Sequence, residues 1–499
     1  MVVPAWTQNQ RLPLGAFAGS KYLILKWWFR LDLNQRHKAL QASALPGWAT
    51  EPLLHIVAWI YDIIKAMKKL NTAPISGMLE LLPKKQAVFN QIKDSISKTF
   101  SDYGFQPIET PSIERTEILF AKAGGDTEKQ IYKVVKTTES ADDADQALRF
   151  DHTVPLARYV VEHANDLTFP FKVSQIGRNF RGERAQRGRF REFYQCDIDI
   201  IGRNHLPIEY DAEIISTFLQ ALTVFRLSDL RVHISNRKLL NGLLEALNLT
   251  PQAKDIFSIV DHATKVPLTT TKKALKELDL GANNLEKILT FLQISGDHKS
   301  LTTQFSALKI NNQTFNDGVE ELTQVLSLLE QTCPKRSIVA NMMIVRGLDY
   351  YTGTVFETFS DSHLDLGSLG GGGRYDNLAS QYSDLALPGV GGSIGLSRLF
   401  YLLDEAGLIK EDTRPIVDTA LIPLDSSIYP FANNLRQRFL KKGVSTDIIY
   451  GSKKLSDKLT YAAKIAQHAC VLGEDELTSR KIKIKNLTSG QVETIEITD

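Results

Sequence analysis

A multidomain α+β chain that ends in a small α/β unit is predicted by three observations. Phe180 to Gly202 reads as two strands joined by an arginine-rich loop. From about Leu239 to Lys335 the sequence turns into Leu- and Lys-rich helices with few aromatics, and after Thr413 apolar strands alternate with helices. The chain has 499 residues, 43% hydrophobic and 23% charged, which is material for about three soluble domains with ample core. Its net charge of +2 is too small for a polycation, so any affinity for nucleic acid must come from local patches.

Residues 1–66 read unlike the rest. Trp27, Trp28 and Phe29 cluster among basic residues, and the longest apolar run, Leu53 to Ile64, is interrupted by His55 and Asp62 and is too short to span a bilayer. Asp32, Glu51 and Asp62 fit a transit peptide poorly. A start-site artefact or a disordered tail is expected here, with a targeting segment or an appended element as the alternatives. Pro83 then opens an amphipathic helix of about five turns, with Val88, Phe89, Ile92, Ile96 and Phe100 on one side and Gly104 as its stop. An apolar stripe of this kind ordinarily packs on a core. FQPIETPSIE leads into a strand, and Ala141 to Gln146 reads as a solvated acidic turn.

In the second strand of the arginine-rich pair, period-two alternation puts Phe193, Gln195, Asp197 and Asp199 on one face and Tyr194, Cys196, Ile198 and Ile200 on the other. An aromatic ring, an amide and carboxylates beside Arg181, Arg184, Arg187 and Arg189 suit a base, a polyphosphate and an amine bound together. On charge alone, arginines that merely solvate a surface remain the alternative. Tyr210 to Phe225 reads as a helix. The C-terminal unit reads as a strand (Ile416 to Pro423), a helix ending at Gly443, a strand (Ser445 to Tyr450), a basic helix and a strand from Ala469 to Gly473. Cys196, Cys333 and Cys470 lack metal-ligand spacing, so neither a zinc site nor a disulfide is expected, and a reducing, cytoplasmic location fits.

Several of these segments carry a resemblance. FRGER followed by REFYQCD resembles motif 2 of class II aminoacyl-tRNA synthetases, and Gly391 to Leu399 (GGSIGLSRL) resembles their motif 3. Arg346 to Gly353 (RGLDYYTG) and Gly370 to Asp376 (GGGGRYD) resemble the two signature segments of the histidyl-tRNA synthetase family, and Phe150 to Pro155 (FDHTVP) resembles its amino-acid-binding turn. Pro111 stands where motif 1 has its proline, and the motifs follow in family order from about Leu79. The resemblance implies an antiparallel-sheet catalytic core flanked by helices over residues 67–238 and 337–412. It also implies a helical insertion over 239–336 and an α/β anticodon-binding domain over 413–499, the latter including LGEDEL. A homodimer formed through the motif 1 helix and strand is implied as well, with L-histidine, ATP and tRNA(His) as partners and no membrane. Met67 opens a segment similar to a family N-terminus.

The resemblance also assigns residues. Arg181 and Arg346 would flank the α-phosphate as catalytic cations and touch the histidine; positioned positive charge is what a carboxylate attacking a phosphate requires. Asp151, Thr153 and Gln195 would hold the ammonium, and Asp199, Tyr350 and Tyr351 the imidazole. Phe193 would stack on adenine, Glu183 would read its amine, and Arg398 would hold the γ-phosphate beside Arg181. Magnesium is expected with ATP, its ligands unknown. Ser397 departs from the acidic residue usual before Arg398. Gly370 to Gly373 and the motif 3 glycines are expected to let backbone approach a ligand at the cost of loop entropy, and Lys453, Lys454, Lys458, Lys481, Lys483 and Lys485 to meet phosphates, though each alone reads as a surface lysine. Two other readings stand beside this one. A histidine-sensing regulatory paralogue of histidine biosynthesis shares the fold, and GGSIG with His468 matches a serine-hydrolase elbow, although Pro388 sits where the elbow needs a strand.

Overall fold

In the computed structural model, which describes residues 71–497 apart from 122–127, 139–143, 264–265, 334–336, 346–350, 382 and 413, the middle of the chain forms a nine-stranded sheet. Its centre is a run of antiparallel neighbours: Phe171–Phe180, Glu192–Ile201, Gly389–Ile394, Gly370–Tyr375, Thr354–Ser360 and Leu230–Asn236. Parallel pairings extend it at both ends, to Gln106–Pro107 on one side and to Ile338–Asn341 on the other. The expectations for residues 1–66, for Met67, for Arg346 and Tyr350 and for the first half of the acidic turn fall outside the described residues.

The arginine-rich pair is a hairpin whose first strand lies earlier than expected. Phe180 closes Phe171–Phe180 and pairs with Glu192, so of FRGER only Phe180 is in the strand and Arg181 onward belongs to the loop. Gly188 there adopts a φ of +68°, which suits glycine. The second strand alternates as its sequence dictates: Cys196, Ile198 and Ile200 enter the main apolar core, and the opposite side chains face a cavity. The helix Pro83–Asp102 starts with proline in its first turn and buries Phe89, Ile92, Ile96 and Phe100 in that same core, each burial worth about 2 kcal/mol. The helix Glu209–Leu222, followed by a 3₁₀ turn at Thr223–Phe225, covers the same face.

The helical stretch runs from Arg237–Ala246 to Gln313–Thr332 and is not walled off from the sheet. Its Leu243, Phe291, Phe315 and Leu326 continue the main core, and its two-residue strand Ser295–Gly296 forms the sheet's far edge. Gly242 lets the helices close up: a Cβ there would lie 2.3 Å from the Phe315 nitrogen.

The C-terminal unit is a five-stranded sheet in which Val417–Pro423 lies parallel to Thr446–Ile448 and Ala466–Leu472, followed by the hairpin of Lys481–Asn486 and Val492–Glu496. Along Lys481–Asn486, Lys481, Lys483 and Lys485 are exposed while Ile482 is buried, an arrangement set by the two-residue strand period. Lys458 corrects the sequence reading. It is 3% exposed and its Nζ donates to the Pro423 carbonyl at 2.8 Å, so a buried backbone acceptor, and no phosphate, takes its charge.

Candidate active site

The strand face that the alternation exposes forms one wall of a cavity of about 600 Å³. Nine of the expected residues border it: Asp151, Thr153, Arg181, Glu183, Phe193, Gln195, Asp199, Tyr351 and Arg398. They come from five separated stretches of chain. Of the four loop arginines, Arg181 and Arg189 border the cavity, whereas Arg187 pairs outside with Glu405 at 2.7 Å and Arg184 is exposed.

Arg181 is aimed by two contacts. Its Nε donates to the Phe150 carbonyl at 3.1 Å, and its guanidinium stacks over the Phe193 ring at 5.2 Å from the centroid. Glu183 faces Arg189 at 3.5 Å. Asp151 sits at the entry of the helix Thr153–Glu162, where Oδ1 accepts from the Val154 N–H at 3.1 Å, the interaction of a residue that caps a helix start. Its Oδ2 is buried with no hydrogen-bond partner. Burial therefore pushes the Asp151 carboxyl up to about 6, against the Val154 N–H and the nearby Arg181 charge.

Asp199 is held more tightly. Burial raises it to about 8 although the Tyr375 hydroxyl donates to Oδ1 at 2.7 Å, and the charges of Asp197 and Asp151 push the same way as burial. At neutral pH such a carboxyl is mostly protonated, and a bound donor or cation would favour its ionised form. The cavity thus carries both carboxyl groups and arginines, a combination that suits a ligand with an amine and a phosphate.

The glycines are placed differently from the expectation. Gly370–Tyr375 and Gly389–Ile394 are paired strands, not loops, and most of their glycines meet protein. A Cβ on Gly372 would lie 1.9 Å from the Gly391 carbonyl oxygen, and one on Gly391 would lie 2.0 Å from Asp199 Oδ1. Gly370, Gly371, Gly391, Gly392 and Gly395 also border the cavity, where close approach to a ligand remains open. Ser397 is buried, and its Oγ accepts the Tyr194 backbone N–H at 2.8 Å, so its hydroxyl ties motif 3 to the hairpin strand.

Sequence reasoning missed Tyr375, Ser393 and Glu357, which border the cavity, and Arg149 and His152 beneath it. The GGGGRYD segment already contained Tyr375; nothing local marked its hydroxyl for Asp199. As for the hydrolase elbow, Ser393 lies within a strand and is bonded to Gln195 and Asp197, while His468 Nδ1 lies 3.2 Å from the Asp418 carbonyl oxygen in the C-terminal sheet. That is no nucleophile–base pair.

Comparison with known proteins adds independent findings. Residues 77–399 match the family model described as histidyl-tRNA synthetase, and residues 418–499 match an anticodon binding domain. The chain is similar to the histidine–tRNA ligase of Clostridium tetani, 41% identical over 86% of this chain and 98% of that protein. It is likewise similar to that of Stenotrophomonas maltophilia, 41% identical over 85% and 95%. Among solved structures, histidyl-tRNA synthetase from Nostoc sp. superposes with a TM-score of 0.74 at 33% identity, covering 86% of this chain and 97% of that one. A Bacillus halodurans structure described as an ATP phosphoribosyltransferase regulatory subunit/histidyl-tRNA synthetase shares the fold, with a TM-score of 0.68 at 20% identity over 81% and 100%.

Proposed function

The chain belongs to the histidyl-tRNA synthetase family, and from that premise we propose that its large cavity is where histidine and ATP meet. The activity is that of a histidine–tRNA ligase. The histidine carboxylate attacks the α-phosphorus of ATP, pyrophosphate leaves, and a terminal ribose hydroxyl of tRNA(His) then takes the acyl group with release of AMP. The observation that carries the site assignment is the convergence of nine expected residues from five chain segments on one cavity.

In this reading Arg181, with Arg346, neutralises the charge that builds on the α-phosphate, and the Phe150 carbonyl and Phe193 ring keep its fork oriented beforehand. Phe193 stacks on adenine, Glu183 accepts from its amine, and Arg398 holds the γ-phosphate. Asp151, Thr153 and Gln195 receive the ammonium. Asp199 with Tyr350 and Tyr351 receives the imidazole, whose N–H supplies what burial denies the Asp199 carboxyl. An amino acid without that donor leaves the pocket unpaired, the basis for strong discrimination. Magnesium would arrive with ATP, held largely by phosphate oxygens; among the described residues no group of three His, Cys, Asp or Glu side chains could hold a metal by itself.

The anticodon-binding domain supports tRNA as the second substrate, and its exposed Lys481, Lys483 and Lys485 suit phosphate contacts. A homodimer would use surfaces other than the apolar stripe of Pro83–Asp102, which is consumed by the chain's own core. A cytoplasmic location is part of the same reading; among the described residues no helix is long and apolar enough to cross a membrane. Pyrophosphate exchange measured with each amino acid tests the whole proposal. Histidine alone should support it, and exchange with another amino acid, or none with histidine, would sink it.

A further inference from the structure

The strand Leu230–Asn236 lies between Ile338–Asn341, which runs parallel to it, and Thr354–Ser360, which runs antiparallel. The connection that leaves Asn341 and enters Thr354 therefore has both of its ends beside the C-terminal end of Leu230–Asn236. Arg237 follows directly, as the first residue of the helix Arg237–Ala246. Its backbone N–H, one of the donors that a helix start leaves without an internal partner, donates to the Gly353 carbonyl at 2.9 Å. Its Nη1 donates to the Val345 carbonyl at 3.0 Å. One residue thus ties down both ends of the segment RGLDYYTG: Gly353 is the last of it, and the Val345 carbonyl belongs to the peptide bond that leads into Arg346.

The guanidinium is itself held by the helical insertion. It lies 4.5 Å from the centroid of the Phe257 ring, on the helix Ala253–Ala263. A planar guanidinium can donate along its edge and offer its face to a ring at once, which an ammonium cannot do. Phe257 packs against the main core, and Asp261, four residues further along the same helix, borders the cavity. That spacing puts Phe257 and Asp261 on one side of the helix. The two anchored carbonyls lead toward the site as well. Val345 is 5% exposed, Thr352 N–H donates to the Arg374 carbonyl at 2.8 Å, and Tyr351 borders the cavity. Arg237 and Phe257 do not border it.

We propose that Arg237 is a positioning residue for adenylate formation: it clamps both ends of RGLDYYTG, and Phe257 of the insertion holds the clamp in place. This rests on the roles assigned above to Arg346 and Tyr351. A reacting centre is sensitive to displacements of about 1 Å, which can cost on the order of 10²-fold in rate, so an anchor one peptide bond from Arg346 acts on the chemical step more than on ATP binding. Through Phe257, the insertion is mechanically joined to the segment that serves the α-phosphate.

The test is histidine-dependent pyrophosphate exchange with the full chain, with kcat and the ATP KM measured separately and thermal melting as the check of folding. Arg237→Leu should lower kcat about 10- to 100-fold while the ATP KM stays within about 3-fold. Arg237→Lys, which keeps a donor for the Val345 carbonyl but gives up the planar stack, should recover most of that loss. Phe257→Leu removes the ring and leaves both hydrogen bonds possible; it should lower kcat about 3-fold, and the double variant with Arg237→Leu should be no slower than Arg237→Leu alone. An unchanged kcat in Arg237→Leu overturns the proposal, as does an equal worsening of kcat and ATP KM with no recovery in Arg237→Lys, the mark of a merely structural residue. Should Arg237→Leu not fold, Phe257→Leu decides: a lower kcat at unchanged ATP KM supports the clamp, and an unchanged kcat overturns it. Losses that multiply in the double variant overturn the link to the insertion. Absence of exchange in the wild-type protein overturns the site assignment itself, an outcome distinct from wild-type activity with indifferent variants.

Discussion

Replacing Asp199 with asparagine should change both the pH dependence of stability and the use of histidine. Asp199 is 4% exposed, and burial lifts it from the ordinary 3.8 to about 8. The unfolded chain therefore gives up this proton near pH 4 and the folded chain only near pH 8. The protonated group contributes its stability in full below about pH 4, loses it as pH rises toward 8, and contributes nothing above that. At about 1.4 kcal/mol per pH unit, the contribution amounts to as much as roughly 6 kcal/mol across the interval. Asparagine stays neutral and can still accept from Tyr375, so Asp199→Asn should melt progressively higher than wild type, by several degrees, as pH rises from about 5.5 to about 8.5. Thermal melting of both proteins in matched buffers reads this directly. Saturating histidine, by offering a donor to Asp199, should flatten the wild-type pH dependence and leave the variant's unchanged. The same substitution should cost roughly 2 to 4 kcal/mol in kcat/KM for histidine, with ATP binding barely altered. A melting difference that is constant with pH, or that favours wild type more at high pH, would refute the buried neutral carboxyl. Normal charging with histidine would refute the imidazole pocket.

Three further outcomes are expected. Arg181→Ala, and likewise Arg346→Ala, should lower the adenylation rate by roughly 10²-fold in single-turnover measurements while histidine affinity changes less; intact kcat with weakened histidine binding would reassign the residue to substrate positioning. Lys458→Met should cost about 1–3 kcal/mol of stability through the lost bond to the Pro423 carbonyl yet leave tRNA affinity alone, whereas alanines at Lys481, Lys483 and Lys485 should weaken tRNA binding and flatten its salt dependence in filter-binding assays. A chain beginning at Met67 should melt and aminoacylate like the full chain, because every described contact of the site lies downstream of it; a large drop in either would show that the first 66 residues pack on the enzyme or on tRNA.

What the sequence determined by itself was whatever repeats over a few residues. The two-residue period of Glu192–Ile201 sorted Phe193, Gln195, Asp197 and Asp199 from Cys196, Ile198 and Ile200, because side chains on a strand must alternate faces. The spacing of Phe89, Ile92, Ile96 and Phe100 gave the helix and its buried stripe for the same local reason. The motifs supplied candidate chemistry, and five distant stretches of it proved to share one cavity. Only the tertiary structure decided which partners meet. Tyr375 and Asp199 are 176 positions apart, and Ser393 and Asp197 are 196 apart. No local pattern encodes such a pair, because it exists only once antiparallel strands are in register. The same holds for Lys458, whose helix position resembles its exposed neighbours until Pro423 offers it a carbonyl, and for Gly372 and Gly391, whose missing side chains answer to neighbouring strands. Charge and hydrogen-bond satisfaction inside a core depend on what the rest of the chain brings within 3 Å or so, and that is a property of the packed fold.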